Sequence, residues 1–355
     1  MPTAVPAPDA ALDQPLSVPV SAALPWATVQ RMSQTPPRCA EPGEAAITAA
    51  VRRTATIRRG TTMMKVLTGP QVAGYLGGWQ LAGFCYRAYD LAHLRTPQDL
   101  ALLNGSQDLD EAVVFALRWR AVDPIDYAVP LDAALRPRAP IEVDITGLAG
   151  VPPSHRIGPQ VLGTGFAPTG RQLIPEWVTA DFADLPMPVG TSIVAYTADG
   201  SEVVLYTYQP EQHAWLRMCG TQWRHLLSRI PVPGTPGQEY FPVSQEPTRL
   251  LGRYRGRMLD AIADPPDDFW VAAKTRTARY PVDALARRTR FVRWRGALCV
   301  VVRAEGGWRQ LRLCRPDADS VHQLGASSVE RGVFETWAPA SEATDGGEVD
   351  VWYDL

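Results

Sequence analysis

The sequence predicts an α+β protein in three parts: a disordered N-terminal segment over residues 1–63, a small α/β domain over 64–188, and β-rich tandem small-barrel modules after it. Three observations carry this. The first 63 residues are rich in Pro and Ala, contain no Tyr or Phe, and hold Trp26 as their only aromatic residue. Such a segment cannot bury enough apolar surface to offset the entropy of ordering it. Residues 64–188 alternate helix starts with short apolar runs. Between Tyr240 and Leu313 the chain says nearly the same thing twice.

The N-terminal segment lacks the continuous apolar stretch and small-residue cleavage site of a secretory signal. Met63-Met64-Lys65 stands directly before the first apolar segment, which raises the expectation that the natural start lies there. In the α/β region, Thr68-Gly69-Pro70 introduces a short helix over 71–76 that Gly77-Gly78 ends. Residues 79–88 read as a strand. Thr96-Pro97 opens a helix through Leu103, with Thr96 as N-cap and Pro97 at the first helical position. Residues 110–120 are ambiguous: Val113, Phe115, Leu117 and Trp119 alternate as a strand would, while the flanking acids suit a helix start. The second half reads as strand. A further strand is expected over 141–145, between prolines.

From Val189 onward the chain reads as β. The clearest hairpin signal is the run 193–196, a turn at Asp199-Gly200, and the run 202–208. Trp215-Leu216-Arg217-Met218 follows and resembles the Trp-led run 308–313, which marks 189–238 as a divergent module. The two clear copies occupy 239–285 and 286–355. Phe241-Pro242-Val243, Thr248-Arg249-Leu250-Leu251 and Tyr254-Arg255-Gly256 are echoed by Tyr280-Pro281-Val282, Thr289-Arg290-Phe291-Val292 and Trp294-Arg295-Gly296, with a one-residue slip at Gly252. The repeat of about 40 residues, dominated by β-branched and alternating runs, resembles tandem SH3-like barrels. Runs 329–337 and 349–352 are expected to complete a sheet or to pair with the last module. Duplicated β modules present surfaces, so a protein partner is expected through them.

Composition narrows the classes. With 355 residues and 46% hydrophobic content the chain can build real cores. No apolar run approaches the ~18 residues that would cross a bilayer, so no membrane role is expected. Lys65 and Lys274 are the only lysines, an Arg-for-Lys bias that fits a high-GC bacterial genome. Five cysteines without C-x-x-C pairing suit a reducing, cytoplasmic setting, although secretion without a cleaved signal would leave no trace. Five scattered histidines lack metal-ligand spacing, so no metal is expected. From Thr248 through Arg315 there are fifteen Arg and one Lys against six acids, whereas residues 316–355 hold nine acids and only Arg331. Tyr254, Trp270 and Trp294 could serve as stacking platforms in that basic region. A net charge of −2 for the whole chain argues against nucleic acid as partner.

Nucleophile elbows and phosphate loops are missing from the sequence. Two segments remain as chemistry candidates: Gly83-Phe84-Cys85-Tyr86-Arg87-Ala88-Tyr89-Asp90, and Gly163-Thr164-Gly165-Phe166 leading to Thr169-Gly170-Arg171-Gln172-Leu173-Ile174-Pro175-Glu176-Trp177. At these residues the chain resembles the ADP-ribosyltransferase and NAD-glycohydrolase toxin domains of bacteria. The resemblance implies NAD as substrate, with Tyr86 and Arg87 at its pyrophosphate, Gly165 and Phe166 lining the loop beside it, and Gln172 or Glu176 as the catalytic polar group. A guanidinium is a bidentate phosphate donor, and a carboxylate or amide can stabilise an oxocarbenium-like transition state. The Glu-x-Glu pair and the Ser-Thr-Ser strand of that family are absent. The alternative class is a non-catalytic interaction or toxin-neutralising protein built on the β modules.

Overall fold

β1 (Thr62–Leu67) takes an interior place in a nine-stranded antiparallel sheet and is buried from Met63 onward. The structure, a computed structural model, describes residues 50–51, 53–94, 96–104, 112–129, 174–231, 237–243, 248–272, 278–314, 316, 318–330 and 332–355. These belong to one compact unit, Thr48–Leu355. The disordered segment expected over 1–63 lies mostly outside the described residues, and its end is corrected. Ala55, Ile57 and Met63 are buried in the core, because Ala55-Thr56-Ile57 already alternates apolar and polar as a sheet-packing stretch does.

Helix α1 (Gly69–Leu76) forms where its signals predict. Thr68 and Gln71 close a capping box, Pro70 sits in the first turn, and Val72, Tyr75 and Leu76 turn into the core. β2 (Phe84–Arg87) is shorter than the strand expected over 79–88, because Gly83 at φ +75° turns the chain just before it. α2 (Pro97–Asn104) starts at Thr96, whose hydroxyl oxygen accepts from the Asp99 amide at 3.2 Å. β3 (Val113–Arg120) settles the ambiguous run as strand. The strand expected over 141–145 lies outside the described residues.

β4 (Tyr127–Ala128), β5 (Trp177–Thr179), β6 (Ser192–Thr197), β7 (Glu202–Gln209), β8 (Ala214–Arg217) and β9 (Tyr240–Pro242) complete the sheet. Its order is β4-β5-β2-β1-β3-β6-β7-β8-β9. Helix α1 is an excursion between the antiparallel neighbours β1 and β2, and α2 links β2 to β3, which run in the same direction on either side of β1; every ladder of the sheet is antiparallel, so the α/β texture expected for 64–188 resolves to α+β. The boundary expected at 188 falls inside this sheet, where β3 and β6 pair from Val113↔Thr197 to Arg118↔Ser192. One face packs under α1 and the single helical turn α3 (Arg224–Leu227), with Tyr75, Leu205 and Trp215 at its centre. The other packs under Leu100 and Leu103 of α2.

The second sheet holds the repeat. β10 (Thr248–Tyr254), β11 (Arg257–Asp264), β12 (Asp268–Ala272) and β13 (Arg279–Pro281) form one meander. β14 (Ala284–Trp294), β15 (Ala297–Glu305) and β16 (Trp308–Leu313) form the next. After α4 (Ala318–Leu324), β17 (Ser327–Glu330) and β18 (Val333–Pro339) extend it, and β19 (Thr344–Tyr353) returns to pair with β14. The copies join through β10 and β14, where the repeat-equivalent Thr248 and Thr289 lie opposite each other and their buried hydroxyls bond at 3.1 Å. An antiparallel ladder that sets equivalent residues face to face places a local two-fold axis through that pair.

Each copy makes the same tight hairpin. Arg255 and Gly256 have φ of 48° and 74°, and Arg295 and Gly296 have 48° and 87°, the left-handed pair of a type I′ turn. The divergent first copy is β6-β7-β8, opened by Pro188-Val189 as the others are by Pro242-Val243 and Pro281-Val282. In all three the third strand takes a returning strand as neighbour: β8 takes β9, β12 takes β13, and β16 takes β18.

Candidate functional site

Of the residues assigned by resemblance to NAD chemistry, Gln172, Gly165 and Phe166 lie outside the described residues. The other three do not form one site. Tyr86 and Arg87 are consecutive in β2, so their side chains leave opposite faces of the sheet. Tyr86 packs in the α2 core and its hydroxyl lies 3.1 Å from Glu176 Oε1 and 3.2 Å from the Leu103 carbonyl. That meeting follows from register: Phe84↔Val178 and Cys85↔Trp177 carry Glu176 opposite Tyr86. Arg87 is held on the far face by a two-pronged ion pair with Asp90, at 2.7 and 2.8 Å, and donates to the Thr56 carbonyl at 2.9 Å. Its fork is already filled by a carboxylate of its own chain.

Buried charge gathers where the two sheets meet. Gly83, without a Cβ, lets Glu330 of β17 approach Lys65 of β1, and the two form a buried ion pair. The ammonium also donates to the Ala82 carbonyl. Burial pulls the Lys65 pKa down, with the Glu330 carboxylate opposing it. Burial likewise pushes the neighbouring Cys85 thiol up, which keeps it protonated and inert. Arg312 of β16 donates to Glu335 at 2.6 and 2.9 Å and pairs with Asp184, so it ties the loop after β5 to β18. The cavity beside Lys65, Gln71, Tyr86 and Glu330 measures about 30 Å³. That is the share of one water, far below the several hundred Å³ of a cofactor pocket.

A wider concavity of about 400 Å³ opens beside β12 and β13. Its arginines are spent on its own walls: Arg279 lies 4.2 Å over Trp270 and 3.6 Å from Glu211, and Arg59 lies 5.3 Å over Phe269. The expected stacking platforms are corrected here. Trp270 and Trp294 are buried core residues, as β-strand tryptophans with an apolar face beneath them tend to be, and Tyr254 is stacked on Tyr280 at 4.9 Å.

Exposed large apolar residues are spread over the described surface, among them Tyr89, Met218, Trp308, Trp337 and Trp352, and two of them, Met258 and Leu259, are adjacent on the β10–β11 hairpin. Met258 and Leu259 point to opposite faces and both reach solvent, with Tyr280 beside them, and Arg249, Arg253, Arg255 and Arg257 surround them. The sequence concealed this surface, because Met258 and Leu259 open the largely apolar segment 258–263, broken only by Asp260, with nothing local to mark its first half as uncovered. The strand instead runs beyond its cover: its burial changes from exposed at Arg257–Asp260 to buried at Ile262 and Ala263. No family model, no curated protein and no solved structure matches this chain.

Proposed function

We propose that this chain is a non-catalytic interaction protein that binds a protein partner through its tandem β modules, with the β10–β11 hairpin as contact surface. The observation that carries this reading is the uncovered tip. Leu259 is 42% exposed on one face and Met258 36% on the other, ringed by arginines. Methionine, aromatic residues and arginine are what protein interfaces enrich, and Met258, Tyr280 and the arginines supply them here. The modules act in this reading as SH3-like units whose hairpins face outward. In the α+β part Arg87 is committed to Asp90, the cavity beside Lys65 measures about 30 Å³, and the wider concavity of about 350 Å³ beside Met64 and Tyr196 has its Arg118 paired with Glu202.

The test is photo-crosslinking in the native cell with benzoylphenylalanine in place of Met258, beside a control that carries it in place of Tyr89, the most exposed aromatic elsewhere. A discrete protein adduct at 258 and none at 89 is expected. No adduct at 258, or the same adducts at both positions, removes the reading. Purified protein is assayed in parallel for NAD loss: turnover that disappears in Arg87→Ala would establish the NAD-consuming class instead.

A further inference from the structure

We propose that the β10–β11 hairpin takes an acidic protein segment that carries small apolar residues beside a carboxylate. This rests on the interaction reading above and names the partner's chemistry. The third copy of the repeat contains the same hairpin with its cover in place. There Val292, Trp294, Ala297 and Cys299 share one face and pack against Ala338 and Ala343. The Trp294 indole donates to Glu342 Oε2 at 3.2 Å, and Thr344 donates to the Arg293 carbonyl at 3.3 Å. The cover is Ala338-Pro339-Ala340-Ser341-Glu342-Ala343-Thr344: small residues around one carboxylate.

In the second copy the equivalent face is Gly252, Tyr254, Arg257 and Leu259. β18 has seven residues and leads into that cover, whereas its counterpart β13 has three and, among the described residues, brings Tyr280 and Val282 over the face. Cys299 is therefore fully buried while Leu259, at the same place in the repeat, is 42% exposed. Arg257 stands where the covered copy has Ala297, so the second hairpin adds one guanidinium to Arg253 and Arg255, whose counterparts Arg293 and Arg295 are in the covered copy; Arg257 shares the face of Leu259, Arg255 is in the turn, and Arg253 lies opposite Met258 on the other face. No carboxylate among the described residues pairs with these three; the nearby Asp260 is engaged by Arg249 at 3.3 Å. Guanidinium groups with an apolar anchor between them match carboxylates flanked by small side chains. A polynucleotide fits less well, because the aliphatic anchors offer no stacking plane and the Tyr254 ring already carries Tyr280 and Arg255.

The probe is a fluorescent nonapeptide copying residues 337–345, Trp-Ala-Pro-Ala-Ser-Glu-Ala-Thr-Asp, titrated against the full chain by anisotropy. Saturable low-millimolar binding is expected. It should weaken at least fivefold with both acids of the peptide changed to Lys, and at least fivefold in the chain variants R253E/R255E/R257E and L259D, whose melting curves should match the parent. Absence of saturable binding, or binding indifferent to these charges, overturns the acidic class. Displacement of the peptide by a 20-nucleotide single strand at lower concentration than by unlabelled peptide overturns it in favour of nucleic acid. If the peptide fails while the crosslinker at 258 traps a non-acidic protein, the partner class falls and the interaction reading stands. If both fail, both fall.

Discussion

Replacing Arg312 by Met keeps the length of the side chain and removes the charge that holds Asp184 and Glu335 together. Both carboxylates are almost wholly buried, and Arg312 itself is 3% exposed. Breaking a buried pair from one side costs about 3–5 kcal/mol, because the remaining charge is stranded. Two acids are stranded here, and their escape is protonation. From an ordinary pKa near 4, taking a carboxyl neutral at pH 7 costs roughly 4 kcal/mol, so about 8 kcal/mol is the ceiling for both. Burial already pushes Asp184 upward against the pull of Arg312, which brings the expected loss toward about 5 kcal/mol at pH 7. At pH 5 each protonation costs only about 1.5 kcal/mol, so the loss should shrink by at least half. The sign follows from linkage: acids whose folded pKa is raised stabilise the fold below their unfolded pKa, and that contribution disappears as pH rises through the folded one. Urea midpoints of parent and variant at the two pH values measure this. A loss under 1 kcal/mol at pH 7, or one equal at both pH values, would refute the picture of an enclosed charge cluster joining the sheets.

Asp126 is pushed up to about 6 by burial, with Arg287 and Tyr353 pulling the other way. Its contribution, on the order of 3 kcal/mol, is present below about pH 4 and is lost as pH rises through about 6; Asp126→Asn should flatten the dependence of the urea midpoint on pH across that window. Thr248→Val and Thr289→Val should each cost about 1–2 kcal/mol by stranding the partner hydroxyl, and the double variant should cost about 1 kcal/mol less than their sum. Leu259→Ser should lower stability by less than about 1 kcal/mol, whereas Cys299→Ser at the equivalent buried position should cost about 1–3 kcal/mol, both read from denaturant midpoints.

Local signals carried much of the fold. The capping box at Thr68 and Gln71, the N-cap at Thr96, and the Asp199-Gly200 turn all form as their residue types demand, since each depends on neighbours within four positions. The repeat was equally legible, because its two hairpins are closed by the same aromatic-Arg-Gly triplet. What could not be read was pairing across long separations. That β3 would take β6, or that β19 would return to β14, depends on which buried faces fit, and alternation alone does not name a partner. Arg87 looked like an anion site because an arginine at a strand end is free on paper. Asp90 three residues on was visible, but the 3₁₀ turn at Ala88–Leu91 that swings it onto the guanidinium was not. The exposed tip at Met258 and Leu259 was hidden for the same reason, since exposure depends on how far a distant strand reaches.

Burial separates the two kinds of polar chemistry in this chain. Lys65, Asp126 and Asp184, whose pKa values burial shifts, are deep, and each is paired across elements remote in sequence. A group in that position fixes which strands may adjoin, and its cost falls on the folded state when a partner is removed. Arg253, Arg255 and Arg257 at the β10–β11 tip are the reverse: exposed, close in sequence, and without a carboxylate partner among the described residues, whereas Arg249 pairs with Asp260. Arg255 lies 5.1 Å over the Tyr254 ring, and the apolar Met258 and Leu259 beside these arginines are left facing water. The repeat makes the comparison internal. The same hairpin buries Cys299 and Trp294 when a long returning strand brings a cover, and leaves Leu259 open when the returning strand is three residues long. An uncovered copy beside a covered one points to a cover supplied from outside the chain, and the extra charge of Arg257, added to Arg253 and Arg255, describes what that cover should carry.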